Sequence, residues 1–363
     1  GKLEEAIDAY KKALALKPDY AEAYNNMGAV LHDQGKLKEA MDAFNKALSL
    51  DPDYAEAAKN LVKMPMGHLK KESLDLCIHT NLAFSHKFET PSSVQFFQAG
   101  LLMHSGDSSA AFNKFCEANK TKITEVDDLF EKIDDEYKNN ITKLKKWSPQ
   151  PLILTKKSIT KLFILGPSKS GKSLLEQMLS KSKKAHPMYE NINLGFLKDY
   201  NSNLNTSHYL DFEKLFYHNE ENLLNQGYEV LTSTKPNTIF YLDYIMDKFP
   251  ASYFIFVNRD QLDVASEIFM KEYKSGNHQL FHPAEIMKYL KFYNRVENIF
   301  VSKSSNRSIQ INFEEIVKNP SKVVDKVSNF ISAKFDIDPL SHNAKGPLSS
   351  GLFRTKFKNI INI

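Results

Sequence analysis

The 363-residue chain has only two cysteines, Cys77 and Cys116, too few for a disulfide framework. Both lie in helix-like apolar stretches, which predicts buried free thiols and a reducing compartment, the cytoplasm. No apolar run approaches bilayer-spanning length, so no membrane span is expected. No secretory or transit peptide opens the residues given, which begin inside a repeat. The net charge of +4 is too small to make a case for nucleic acid, yet it suits an anionic small molecule held by locally clustered basic residues. A single tryptophan, Trp147, has no predicted role. What remains is an ordinary globular composition, 42% hydrophobic and 25% charged, long enough for two domains.

The first sixty residues repeat. Gly1-Lys2-Leu3-Glu4-Glu5-Ala6 returns as Gly35-Lys36-Leu37-Lys38-Glu39-Ala40, and Pro18-Asp19-Tyr20-Ala21-Glu22-Ala23 returns as Pro52-Asp53-Tyr54-Ala55-Glu56-Ala57. The spacing of 34 residues is the tetratricopeptide period, and Tyr24, Met27, Gly28, Leu31, Ala40, Phe44, Ala47 and Pro52 fill its signature positions. Small residues let paired helices approach, and each proline ends a second helix. Phe96, Ala99, Gly100, Met103, Gly106, Ala111 and Phe115 form a weaker copy. A charged helical run from Glu125 to Lys145 is broken by Ser148-Pro149-Gln150-Pro151. These boundaries give two repeats over 1–62, further repeat-like helices and a connector over 63–147, and a last domain over 148–363. Stacked helix pairs create a groove, so a peptide or protein partner is expected there.

From Leu152 apolar strands alternate with helices, the form of a parallel α/β sheet. Strands are predicted at Lys161–Leu165, Tyr228–Thr232, Tyr253–Asn258 and Ser308–Phe313. Helices are predicted at Lys172–Lys181, Thr238–Lys248, Leu262–Tyr273, Ala284–Val301 and Pro320–Ile331. Asn201 to Asn225 reads as a polar helix between loops, and the tail after Phe335 as irregular. Phe292, Tyr293 and Phe300 read as core.

Between the first strand and helix stands Gly166-Pro167-Ser168-Lys169-Ser170-Gly171-Lys172-Ser173, which satisfies the G-x-x-x-x-G-K-[ST] phosphate-loop pattern. A strand turning into a helix offers backbone N–H groups and a positive dipole end to an anion. Two chemistries use such a loop. A magnesium-dependent nucleotide kinase or hydrolase also needs a carboxylate at a strand end, which Asp260 supplies. The arginine before it, Arg259, opposes metal binding electrostatically.

The order of motifs resembles a second family, the bacterial sulfotransferases that carry tetratricopeptide repeats, relatives of the tyrosylprotein sulfotransferases. Their loop reads P-[RK]-S-G-T-T-L-x-E-Q-x-L, similar to Pro167 through Leu179. Ala185-His186-Pro187 stands where they have S-H-P, and Thr234-Lys235-Pro236-Asn237 where they have D-K-x-P-x-N. Val257 through Ser266 resembles R-D-P-L-D-V-x-x-S, and Asn312-Phe313-Glu314-Glu315-Ile316 resembles Y-E-D-L.

The resemblance implies a multi-domain α plus α/β protein, with helical repeats followed by a phosphate-loop-like domain on a central parallel sheet. It implies sulfuryl transfer from 3′-phosphoadenosine 5′-phosphosulfate to a hydroxyl or amine, with no metal. Lys169 falls on the family's catalytic cation at the leaving 5′-phosphate, and Lys235 on its sulfate-contacting lysine. Ser168, Ser170, Gly171, Lys172 and Ser173 fall on the phosphate cradle. Arg259 and Ser266 fall on the 3′-phosphate segment, and Arg354 joins the donor site from the tail. Glu190 or His186 is the general base. Family members place the 3′-phosphate serine eight residues after the arginine, where this chain has Glu267. Either a deleted residue leaves Ser266 in the role, or Glu267 faces the phosphate and weakens donor binding. In that second case the function lies in the repeats, as a catalytically weak binding protein.

Overall fold

Small residues set the spacing of the helices in the N-terminal repeats. The computed structural model describes residues 2–64, 73–75, 77, 90–125, 130–149, 158–188, 220–249, 251–273, 278–335 and 351–361. Helices α1 (Lys2–Leu16), α2 (Ala21–Asp33), α3 (Leu37–Leu50) and α4 (Ala55–Val62) form the predicted repeats. Pro18 and Pro52 stand in the turns after α1 and α3, where a residue without an N–H cannot extend a helix. A Cβ at Gly28 would stand 2.7 Å from the Phe44 ring, so only glycine lets α2 and α3 close on that ring. Gly100 stands likewise against Val62, on α5 (Pro91–His104), which pairs with α6 (Ser108–Glu125) as the third helical hairpin.

The chain divides into two compact units, and neither is one continuous stretch. The first contains Gly1–Asp128, Ala265–Ile286 and Pro347–Ile363; the second contains Leu129–Val264 and Met287–Gly346. Within the first, α14 (Gly351–Ile361) buries Phe357 against Phe269, with ring centroids 5.3 Å apart, and Phe269 meets Phe112 of α6 at 6.0 Å. Asn119 of α6 donates from Nδ2 to the carbonyl of Phe269 at 2.8 Å, satisfying a group left open where helix α10 (Gln261–Phe269) ends.

The second unit holds five parallel strands in the order β2-β3-β1-β4-β5, with β1 (Thr160–Leu165) central. The others are β2 (Ala185–Pro187), β3 (Val230–Ser233), β4 (Ser252–Asn258) and β5 (Ser308–Asn312). Alternate residues take opposite faces. Leu162, Ile164, Ile255, Val257 and Ile311 share a core with α8 (Lys172–Leu179) and α13 (Pro320–Ile331). On the other face Phe254 meets Phe300 of α11 (Pro283–Lys303) edge-on at 4.8 Å, and Trp147 stacks on the same ring at 5.5 Å. Lys303 donates to the carbonyls of Leu144, Lys145 and Trp147, closing the C-terminal end of α7 (Phe130–Lys146).

Several local expectations are corrected. The helix expected at Thr238–Lys248 is a 3₁₀ turn, Pro236–Phe240, followed by α9 (Leu242–Lys248), because Tyr241 leaves the helical region at φ −129°. The helix expected to reach Tyr273 stops at Phe269. The tail expected to be irregular contains α14, held by the buried Phe357. Cys77 is buried, but Cys116 is only half-buried on α6. The polar segment from Asn201 falls largely outside the described residues; its end, 220–225, is helical. Among the described residues no helix is long and apolar enough to cross a membrane.

Candidate donor site

The loop between β1 and α8 is shaped by three backbone conformations that side chains disfavour. Gly166 passes so close to the next strand that a Cβ would stand 2.9 Å from the Val257 carbonyl oxygen and strike the Ser170 hydroxyl. Gly171 has φ 102° and would strike the Phe313 ring. Lys169 itself is left-handed, with φ 68°, a conformation costing a non-glycine residue about 1–2 kcal/mol. That position is held from outside: Arg259, at the end of β4, donates from Nη1 to the Lys169 carbonyl at 2.9 Å. Its guanidinium also lies 4.4 Å from the centroid of Phe313, at the start of helix α12 (Phe313–Lys318). Arg259, Phe313 and Gly171 therefore back the loop as one packed group.

The hydroxyl of Ser170 is fully buried and has no hydrogen-bond partner among the described residues. A buried polar group without a partner costs about 1–3 kcal/mol, so its presence here points to a ligand oxygen. Lys172 is also buried, Lys169 and Ser168 are half-buried, and Ser173 is exposed. The Ser168 N–H donates to the Tyr289 hydroxyl of α11 at 3.3 Å. Gly171 is the N-cap of α8, so the helix start faces the loop.

Lys235 lies at the end of β3, one position from β1 in the sheet, and is half-buried. His186 is half-buried on the edge strand β2, in register with Leu231, its ring meeting that of Tyr228 edge-on at 4.9 Å. Lys235 thus reaches the same carboxyl-terminal edge as the loop, where open α/β sheets bind ligands, whereas His186 is level, through Leu231, with Lys161 near the start of β1. Glu190 lies outside the described residues. Ser266 and Glu267 are both buried on the part of α10 that belongs to the first unit, and Arg354 is exposed on α14 of that unit.

Asp260 is used as a helix cap: its Oδ1 accepts from the N–H groups of Leu262 and Asp263 at 3.0 and 3.1 Å. Beside Arg259 opens a polar cleft of about 230 Å³, lined by Asn258, Gln261, Asn294, Glu297 and Gln310 among others. Glu297 accepts from the amides of Asn258 at 2.7 Å and Gln310 at 2.5 Å. Burial pushes its carboxyl pKa up against those bonds.

Sequence reasoning missed Tyr289 and Glu176 as parts of this region and gave Phe313 no role. Tyr289 and Tyr293 are spaced like core aromatics, and they are indeed buried. Only their hydroxyls reach the loops, and no pattern announces that.

Comparison with known proteins agrees with the motif order. Residues 161–336 match the sulfotransferase-family model. Residues 1–35 and 21–54 match tetratricopeptide-repeat models. No curated protein matches the chain. Among solved structures, a sulfotransferase from Alicyclobacillus acidocaldarius is 18% identical, covering 56% of this chain and 91% of its own, with a TM-score of 0.37. The sulfotransferase domain of the Synechococcus PCC 7002 olefin synthase is 17% identical, covering 59% and 91%, with a TM-score of 0.36. A sulfotransferase from Mycobacterium tuberculosis is 11% identical, covering 81% and 98%, with a TM-score of 0.36. Residues 161–336 thus form a sulfotransferase-family domain, and tetratricopeptide repeats precede it in the chain.

Proposed function

We propose that this chain transfers a sulfuryl group from 3′-phosphoadenosine 5′-phosphosulfate to a hydroxyl or amine, on a peptide or protein brought by the repeats. The observation that carries the reading is the buried Ser170 hydroxyl, without a hydrogen-bond partner among the described residues, in a loop backed by Arg259. The residues present fit the donor. Ser168, Ser170, Gly171, Lys172 and Ser173 would hold its 5′-phosphate, and Arg259 its 3′-phosphate.

The donor supplies a sulfur–oxygen bond activated by its phosphate. Lys169 stabilises the charge that grows on the leaving phosphate oxygen, and Lys235 binds the sulfuryl oxygens. Such fixed cations act mainly by positioning and by complementing charge that is dispersed in the transition state. As the acceptor oxygen bonds to sulfur, the bond from sulfur to the phosphate oxygen breaks and its electron pair stays with the phosphate. The acceptor proton passes to His186 or Glu190.

The test is titration calorimetry with adenosine 3′,5′-bisphosphate in the presence of a chelator. The expected result is saturable binding in the micromolar range, about −8 kcal/mol. No binding by folded protein refutes the donor assignment. Binding of ATP that vanishes with the chelator favours the magnesium-dependent reading instead, for which Asp260 would have to leave its cap.

A further inference from the structure

We infer that Glu176 is a positioning residue for sulfuryl transfer, fixing the Thr232–Lys235 segment to the helix launched by the phosphate loop. The inference rests on the proposed function in taking Lys235 as the sulfate-binding cation. Glu176 lies on α8 among the buried Leu175, Met178 and Leu179, and its own exposure is 0%. Removing a carboxyl from water costs several kcal/mol unless its oxygens are satisfied, so an apolar residue would be the simpler choice for packing alone.

Both oxygens are used. Thr232 donates from Oγ1 to Oε1 at 2.9 Å, and Thr234 donates from Oγ1 to Oε2 at 2.8 Å. The two threonines are two residues apart, so a pleated strand end turns both toward α8. Lys235 follows immediately. On its other side Pro236 accepts at its carbonyl from the Tyr293 hydroxyl at 3.0 Å. Tyr293 packs edge-on against Tyr289, at 5.0 Å between centroids, and the Tyr289 hydroxyl receives the Ser168 N–H. The Lys235 backbone is thus tied on one side to α8 and on the other to α11, and each helix touches the phosphate loop. The Thr232 carbonyl also accepts from the Met188 N–H at 2.8 Å, which brings the strand bearing His186 into the same framework. Directional bonds of this kind fix register where apolar packing tolerates sliding.

The test uses the full chain with Glu176→Gln and Thr234→Val, and Thr234→Ser as the conservative variant. Three quantities are measured: hydrogen exchange over 230–238, affinity for adenosine 3′,5′-bisphosphate, and the rate at which 3′-phosphoadenosine 5′-phosphosulfate is converted to that product. Glu176→Gln and Thr234→Val should speed exchange over 230–238 and leave the loop at 166–172 unchanged. They should lower kcat roughly 10- to 100-fold while product affinity stays within about twofold, as expected of a displacement near 1 Å. Thr234→Ser should restore kcat. Unchanged exchange, or affinity falling in step with kcat, overturns the role while the proposed function stands. A wild-type chain that neither binds the product nor consumes the donor overturns both.

Discussion

Gly171→Ala is the sharpest single perturbation of the loop. At φ 102° an alanine pays the left-handed penalty of about 1–2 kcal/mol. Its Cβ would also strike Cδ2 of Phe313 and stand 2.9 Å from Cε2. The ring cannot simply retreat, because the Arg259 guanidinium lies 4.4 Å from its centroid. Overpacking of this kind adds about 1–3 kcal/mol. Taking about 3 kcal/mol in all, the unfolding midpoint should fall by roughly 6–12 °C for a domain of this size. Displacing Phe313 also moves Arg259 away from the Lys169 carbonyl, so affinity for adenosine 3′,5′-bisphosphate should fall at least about tenfold, or 1.4 kcal/mol. Differential scanning calorimetry and titration calorimetry read the two effects on one preparation. A variant with an unchanged midpoint and unchanged affinity would show that the Gly171–Phe313–Arg259 packing does not shape the loop.

Arg259→Ala removes the bond to Lys169 together with the proposed phosphate cation, and product affinity should weaken by roughly 1.5–3 kcal/mol in titration calorimetry. Glu297→Gln tests the buried carboxyl. Its folded pKa is raised by burial, so its contribution is fully present below the ordinary value of 4.5 and is lost as pH rises through the folded value. Denaturant titrations should therefore show Glu297→Gln gaining on the wild type as pH rises above about 4.5, with a constant difference at lower pH. Desolvation pushes the Cys77 thiol up to about 12, and burial raises half-exposed Cys116 less. A thiol reagent at pH 8 should therefore label Cys116 first, and Cys77 only as the protein opens.

The fold was largely legible because its strongest signals are periodic. The 34-residue repeat and the apolar runs of β1 and β4 reflect packing that the sequence must encode locally. The phosphate loop was legible for a different reason: Gly166 and Gly171 sit where a Cβ has no room. What escaped depends on distant partners. The strand β2 has three residues and exists only through its pairing with β3. The tail helix is held by Phe357 against Phe269, far away in sequence. Arg259 reads as a 3′-phosphate ligand, yet its observed bond is to the loop backbone, a contact no side-chain pattern encodes. Asp260 reads as a metal carboxylate, and the structure uses it as a cap.

Lys169 is proposed as the working cation of a metal-independent sulfuryl transfer. Conversion of 3′-phosphoadenosine 5′-phosphosulfate to adenosine 3′,5′-bisphosphate, followed with excess chelator, tests it directly in wild type and Lys169→Ala. The wild type should turn over, and the variant should lose roughly 100- to 1,000-fold, the cost of removing one preorganised electrostatic contact. Equal turnover by both proteins, or activity that appears only with added magnesium, would contradict it.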